Sequence, residues 1–209
     1  MKDLIVLVAD ADTEQVIKTL LNIRCRSLHI RPINFEVVRH PNRDAGVYRG
    51  APELLRAYAR TASYALVLLD REGSGGERRY TASEMEQDLE QRLRTNGWVK
   101  PDGNSRCAVI VLDPELETWV WSGSPHVAAV LGLDEATLGQ VLEGFERHPN
   151  GKPRRPKEAL QAALRRSGRP FSAAIFAELA RRVSLQGNER AFDKFRATLQ
   201  KWFSEETLS

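Results

Sequence analysis

The chain has 209 residues, 42% hydrophobic and 28% charged, with a net charge of +3. Those proportions suit an ordinary soluble core, and no apolar run approaches the roughly 20 residues needed to span a bilayer. The first residues lack the pattern of a signal peptide. Cys25 and Cys107 stand far apart without metal-ligand spacing, which points to reduced thiols in a cytoplasmic protein.

In chain order, residues 4–8 form a continuous apolar run, the pattern of a strand covered on both faces. Asp10, Asp12 and Glu14 follow at once. Asp12 reads as the N-cap of a helix over residues 13–23, with Glu14 suiting its dipole, whereas Asp10 stands at the strand end before the cap. Residues 33–38 alternate like a strand nearer an edge and lead to Arg39, His40 and Arg43. A helix over 51–61 carries Leu54, Leu55 and Tyr58. The buried-type strand 64–69 ends in Asp70, and Glu72 lies two residues on, where an extended chain would point both acids one way. The glycines of 73–76 predict a flexible loop. Thr81 and Glu84 have the form of a capping box, followed by Met85, Leu89 and Leu93 at helical spacing. The fourth strand, 107–112, ends in Asp113, a plausible cap for a helix over 115–121. On such a helix Glu115 and Glu117 would diverge by about 200°, so that only one faces inward.

Strands alternating with helices predict an α/β fold: a mainly parallel sheet of about four strands flanked by helices, Toprim- or Rossmann-like. After residue 112 the pattern is helical only, over 125–131, 135–145, 157–166, 172–183 and 189–203. A breaker-rich segment at 148–153 divides an α/β part, 1–147, from a helical C-terminal extension, 148–209, packed on it.

Ligands of open α/β sheets bind beyond the carboxyl ends of the strands, and three strands here end in aspartate. Asp10, Asp70, Glu72, Asp113 and Glu115 therefore read as a shared divalent-metal site, with Glu115 or Glu117 as further ligand or water-positioning base. Packed carboxylates need a cation, and an all-oxygen set favours Mg²⁺ or Mn²⁺ over zinc.

An acid after the first strand, with an acid-x-acid pair after the third, resembles the Toprim fold of topoisomerases, primases and the OLD-type and recombination-associated nucleases. The resemblance implies Mg²⁺-dependent phosphodiester chemistry, with Asp10 in the place of the family's glutamate and Asp70 with Glu72 in the place of its Asp-x-Asp. Both are departures of about one methylene. A closer resemblance covers most of the chain. It is carried by residues 40–47, 68–73, the Pro114-Glu115-Leu116-Glu117-Thr118-Trp119 block, 155–160 and Val183-Ser184-Leu185. These look like a bacterial family of small proteins encoded with methylation-associated anti-phage defence systems, akin to Toprim-like domains with a Pro-Glu-Leu-Glu-Ala-Trp motif. That likeness implies antiviral defence, DNA as target and other defence proteins as partners. It leaves a nuclease and a non-catalytic adaptor or recognition subunit both open, with a nucleotide-sensing domain as a third reading.

The cations cluster in the last third. Lys152, Arg154, Arg155 and Lys157, in a tract stiffened by prolines, could track a nucleic-acid backbone, and Arg39 and Arg43 could hold a phosphate. His40, at the end of the second strand, could approach the acids as acid or base. Trp119 and Trp121 read as packing residues, with base stacking as the sharper alternative. No phosphate-binding glycine loop with lysine occurs, which argues against ATP hydrolysis.

Overall fold

The computed structural model describes residues 1–183 and 189–205. Four strands, β1 (Lys2–Val8), β2 (Phe35–Arg39), β3 (Ala62–Asp70) and β4 (Cys107–Leu112), form one all-parallel sheet in the order β2-β1-β3-β4. All four runs anticipated as strands are strands. β2 steps outward to one side of β1, and β3 and β4 to the other. The order therefore reverses between β1 and β3, where a crevice opens beyond the strand ends.

Side-chain alternation assigns the core to two layers. Leu4, Val6, Val8, Leu66, Leu68, Ile110 and Leu112 face one side of the sheet. There they meet α1 (Ala11–Ile23), the short α2 (Cys25–Leu28), α7 (Pro156–Ser167), α8 (Ala173–Arg182) and α9 (Arg190–Phe203), with α5 (His126–Leu131) and α6 (Glu135–Glu143) beside them. Ile5, Leu7, Ala65, Val67, Leu69, Val109 and Val111 face the other side, against α3 (Arg43–Arg56) and α4 (Ala82–Thr95). The C-terminal helices thus share their core with the sheet. Trp119 and Trp121 serve that packing: Trp119 meets Phe192 edge-on, and the Trp121 indole N–H donates to the Pro156 carbonyl.

The Thr81–Glu84 capping box is present in both directions. α3 begins eight residues before the expected start at Ala51 and ends at Arg56 instead of 61; it runs through Pro52 because Val47, Ala51 and Leu55 all bury against the sheet. That burial outweighs the one helical hydrogen bond a proline removes. The stretch 115–121 is only a short 3-10 helix, Leu116–Trp119. The glycine loop is closed on itself, with Ser74 buried and bonded to the Arg71 carbonyl and the Gly76 amide. β4 is an edge strand whose free amides are covered: Glu86 accepts from Val111, and Glu90 from Val109. No helix among the described residues is long and apolar enough to cross a membrane.

Candidate metal centre

In a parallel sheet every strand delivers its carboxyl end to the same edge. β3 ends in Asp70, whose carboxylate accepts the Leu116 amide at 2.9 Å and so draws the 3-10 helix over the crevice. Glu115 precedes that helix in an extended conformation (φ −159°, ψ 172°). This departs from the expectation for residues 115–121. Glu115 stands before the helix and not on it, so the 200° helical divergence does not apply, and Glu115 and Glu117 both turn inward. Carboxyl oxygens of Asp70, Glu115 and Glu117 lie within 4.8 Å of one another, the one such group among the described residues. Glu115 and Glu117 are buried.

One cation serves the trio. Lys157 Nζ lies 3.5 Å from Glu115 and 3.9 Å from Glu117. Its backbone amide also donates to Glu115 at 3.2 Å, so Glu115 caps α7 from another element. A lysine in the first turn of a helix, where the dipole disfavours it, is thereby explained.

Burial, then Asp44, Glu117, Asp10 and Glu115, push Asp70 well above the usual carboxylate range. Burial and Glu115 lift Glu117 to about 7, against the pull of Lys157. Glu115 is raised chiefly by burial. Burial works against the charge on Lys157, but Glu117, Glu115 and Asp70 outweigh it and raise its pKa. Asp44 is raised by burial although its carboxylate accepts the Asp70 amide at 2.8 Å.

The remaining expected site residues scatter around this centre. Asp10, not Asp12, is the N-cap of α1: the helix starts at Ala11, and the Asp10 carboxylate accepts the Thr13 amide at 2.8 Å. Asp10 thus has a structural task, and it reaches the trio only through its field on Asp70. Asp12 sits in the first turn, its pKa raised by burial and by Asp10. Glu72 is exposed, because the chain turns after Asp70, and it acts on Glu115 only through space. Asp113 caps nothing; it is exposed and lies 3.5 Å from Arg71.

The basic tract divides. Lys152 turns inward to the Thr118 carbonyl and Lys157 to the acids, while Arg154 and Arg155 stay exposed. Arg39 is anchored by Glu14 at 2.8 Å, and Arg43 is exposed with left-handed backbone (φ 48°). His40 accepts the Asn42 amide on Nδ1 and sits against Gly46, where a Cβ would fall 2.2 Å from that nitrogen; burial lowers its pKa. Arg39, His40 and Arg43 share a groove with Asp10 and Lys157, so His40 neighbours the acidic edge without joining the trio. Ser184 and Leu185, in one of the resemblance motifs, lie outside the described residues.

Asp44 was missed from sequence: Asp70 ends β3, but Asp44 lies beyond the end of β2, in the first turn of α3. The family models, curated proteins and solved structures compared with this chain yield no match. The likeness to Toprim and defence-associated proteins rests on the motifs quoted above.

Proposed function

We propose that the Asp70, Glu115 and Glu117 trio binds Mg²⁺ or Mn²⁺ and that the chain cleaves phosphodiester bonds in nucleic acid, as a component of a bacterial anti-phage defence system. The observation that carries the cation site is three clustered carboxylates, two of which share one ammonium at 3.5–3.9 Å. The donors fit the ion: oxygens bound to one hard cation at about 2.1–2.5 Å lie at most roughly 4–5 Å apart. With all three carboxyls ionised, one ammonium leaves two charges to balance, which suits a divalent ion. The defence role is carried by the motif resemblance alone.

A bound divalent ion supplies charge for a scissile phosphate and a more acidic water. The chain's own groups do the rest. Glu117, lifted to about 7 in the metal-free protein, exchanges its proton near neutral pH and would serve either as a ligand of the ion or as the base for an attacking water, not as both. Lys157 stays cationic and can steady charge on a phosphoryl oxygen.

A second reading, the non-catalytic adaptor, is favoured by the same lysine, which partly neutralises the acids without any metal, and by the structural hydrogen bonds of Asp70 and Glu115. Calorimetric titration with Mn²⁺ at pH 8, paired with cleavage assays on single- and double-stranded DNA and RNA, separates the two. Asp70→Asn keeps an acceptor for the Leu116 amide and should lose both binding and cleavage. Absence of Mn²⁺ binding by the wild-type protein sinks the metal reading; binding without cleavage of any substrate leaves the adaptor.

A further inference from the structure

Beside the trio lies a groove of about 600 Å³ lined by residues of the β1–α1 turn, the β2–α3 turn and the α7–α8 connection. Its size falls within the roughly 300–1,000 Å³ of small-molecule sites, the scale of one nucleotide and far below that of a duplex. Lys157 lines the groove and pairs with Glu115 and Glu117, so it stands between the groove and the trio.

Three features of the walls are complementary to a nucleotide. Phe171 lies in the groove with 37% of its surface exposed, its ring held by an edge contact to Phe176. Of the large apolar side chains exposed among the described residues, it alone lines this groove. Aromatic rings presented beside cations are how proteins hold unpaired bases without reading their identity. Arg43 is exposed, enters no ion pair among the described residues, and starts α3 from a left-handed backbone that a non-glycine residue adopts only at an energetic cost. The next residue, Asp44, ties that strained turn to the Asp70 amide, fixing Arg43 relative to the trio. Arg39 adds a second guanidinium, its Nε anchored by Glu14. Asp10 and Asp12 also line the groove and suit the hydroxyls of a sugar rather than a phosphate.

We propose that this groove holds one unpaired nucleotide of a nucleic-acid strand, with its base against Phe171 and its phosphate at Arg43 and Arg39. The neighbouring phosphodiester is then delivered past Lys157 to the trio. The delivery step rests on the cleavage reading above; the binding step does not. The ligand is an unpaired nucleotide within a strand, which separates it from both a duplex and a free nucleotide.

The test is fluorescence anisotropy with 5′-labelled dT12 and rU12, and with each of these annealed to its complement, in EDTA so that no divalent ion contributes. The expected result is at least tenfold tighter binding of one single strand than of its duplex. Phe171→Ala and Phe171→Leu should each weaken that binding about tenfold, Phe171→Trp should restore it, and Arg43→Gln should weaken it with a shallower salt dependence. Phe171 is exposed, so these variants should fold, and circular dichroism checks that they do. Equal affinity for strand and duplex, or unchanged binding by both Phe171→Ala and Phe171→Leu, overturns the proposal. Thymidine monophosphate competing as well as dT12 overturns it too, in favour of a free-nucleotide site. Intact single-strand binding with no cleavage on adding Mn²⁺ counts against the cleavage reading and leaves the groove assignment standing.

Discussion

Glu86 and Glu117 are each only 3% exposed, yet their surroundings are opposite. Glu86 accepts the Val111 amide at 2.8 Å, the Arg190 guanidinium through both oxygens at 2.9 Å, and Lys194 at 3.0 Å. Its acceptor capacity is used, and the bonds stitch α4, the edge strand β4 and α9 together. Glu117 has Lys157 at 3.9 Å, shared with Glu115, and stands among like charges. Burial is common to both carboxylates. What marks a candidate site is unmet demand for positive charge, and only the second carboxylate has it.

The largest effect should come from breaking the satisfied partner. Glu86→Ala leaves Val111, Arg190 and Lys194 without their acceptor and should cost about 3–5 kcal/mol in urea denaturation. Mn²⁺ affinity of the remaining folded protein should not change. A loss of Mn²⁺ binding equal to that of Asp70→Asn would erase the distinction between the two regions.

Glu117→Gln should act with the opposite sign. A carboxyl raised from 4.5 to about 7 favours the folded state when protonated. Its stabilisation is fully present below pH 4.5 and is lost as pH rises through about 7, amounting to about 3 kcal/mol by pH 8. The amide mimics the neutral acid, so the variant should be more stable than the metal-free wild type at pH 8 and equal to it near pH 4.5. Excess Mn²⁺ should restore the wild type at pH 8 and leave Glu117→Gln unmoved. If the variant is the less stable at pH 8, the ion pair with Lys157 dominates and the adaptor reading gains.

Lys157→Met sharpens the same contrast more gently. The backbone amide of residue 157 still caps through Glu115, so the fold should persist. Without the competing ammonium, Mn²⁺ affinity should rise about tenfold, roughly 1.4 kcal/mol, while cleavage falls. Calorimetry on the variant that shows weaker binding would mean the lysine organises the trio instead of competing for it.

The sheet was legible because three of its strands are written as unbroken apolar runs, each followed by an acid at the edge where ligands meet the fold, and the fourth, β2, as an alternating one. The neighbourhood of the site followed from that edge. Its membership did not. Which of Asp10, Asp70, Glu72, Asp113, Glu115 and Glu117 converge depends on backbone conformation over two or three residues: the turn after Asp70 that exposes Glu72, and the late helix start that leaves Glu115 extended and off the helix that carries Glu117. Lys157 lies 40 residues beyond Glu117 in sequence, and no local pattern pairs it with the acids. Glu86, on a helix face that reads as ordinary, gave no local sign of the cations arriving from α9.

Asp10 offers the smallest and most discriminating effect. It stands where sequence placed a metal ligand, yet its carboxylate caps α1 through the Thr13 amide. Asparagine caps as well as aspartate, while alanine costs about 1 kcal/mol at such a position. Thermal melts should therefore rank wild type and Asp10→Asn together above Asp10→Ala. For Mn²⁺, the cap account predicts that Asp10→Asn binds within a few-fold of wild type, the modest loss reflecting one removed charge that Asp70 feels through space. A collapse of Mn²⁺ affinity in Asp10→Asn with an unchanged melting temperature would return Asp10 to the ligand set. The trio of Asp70, Glu115 and Glu117 would then be one side of a larger centre that spans the crevice between β1 and β3.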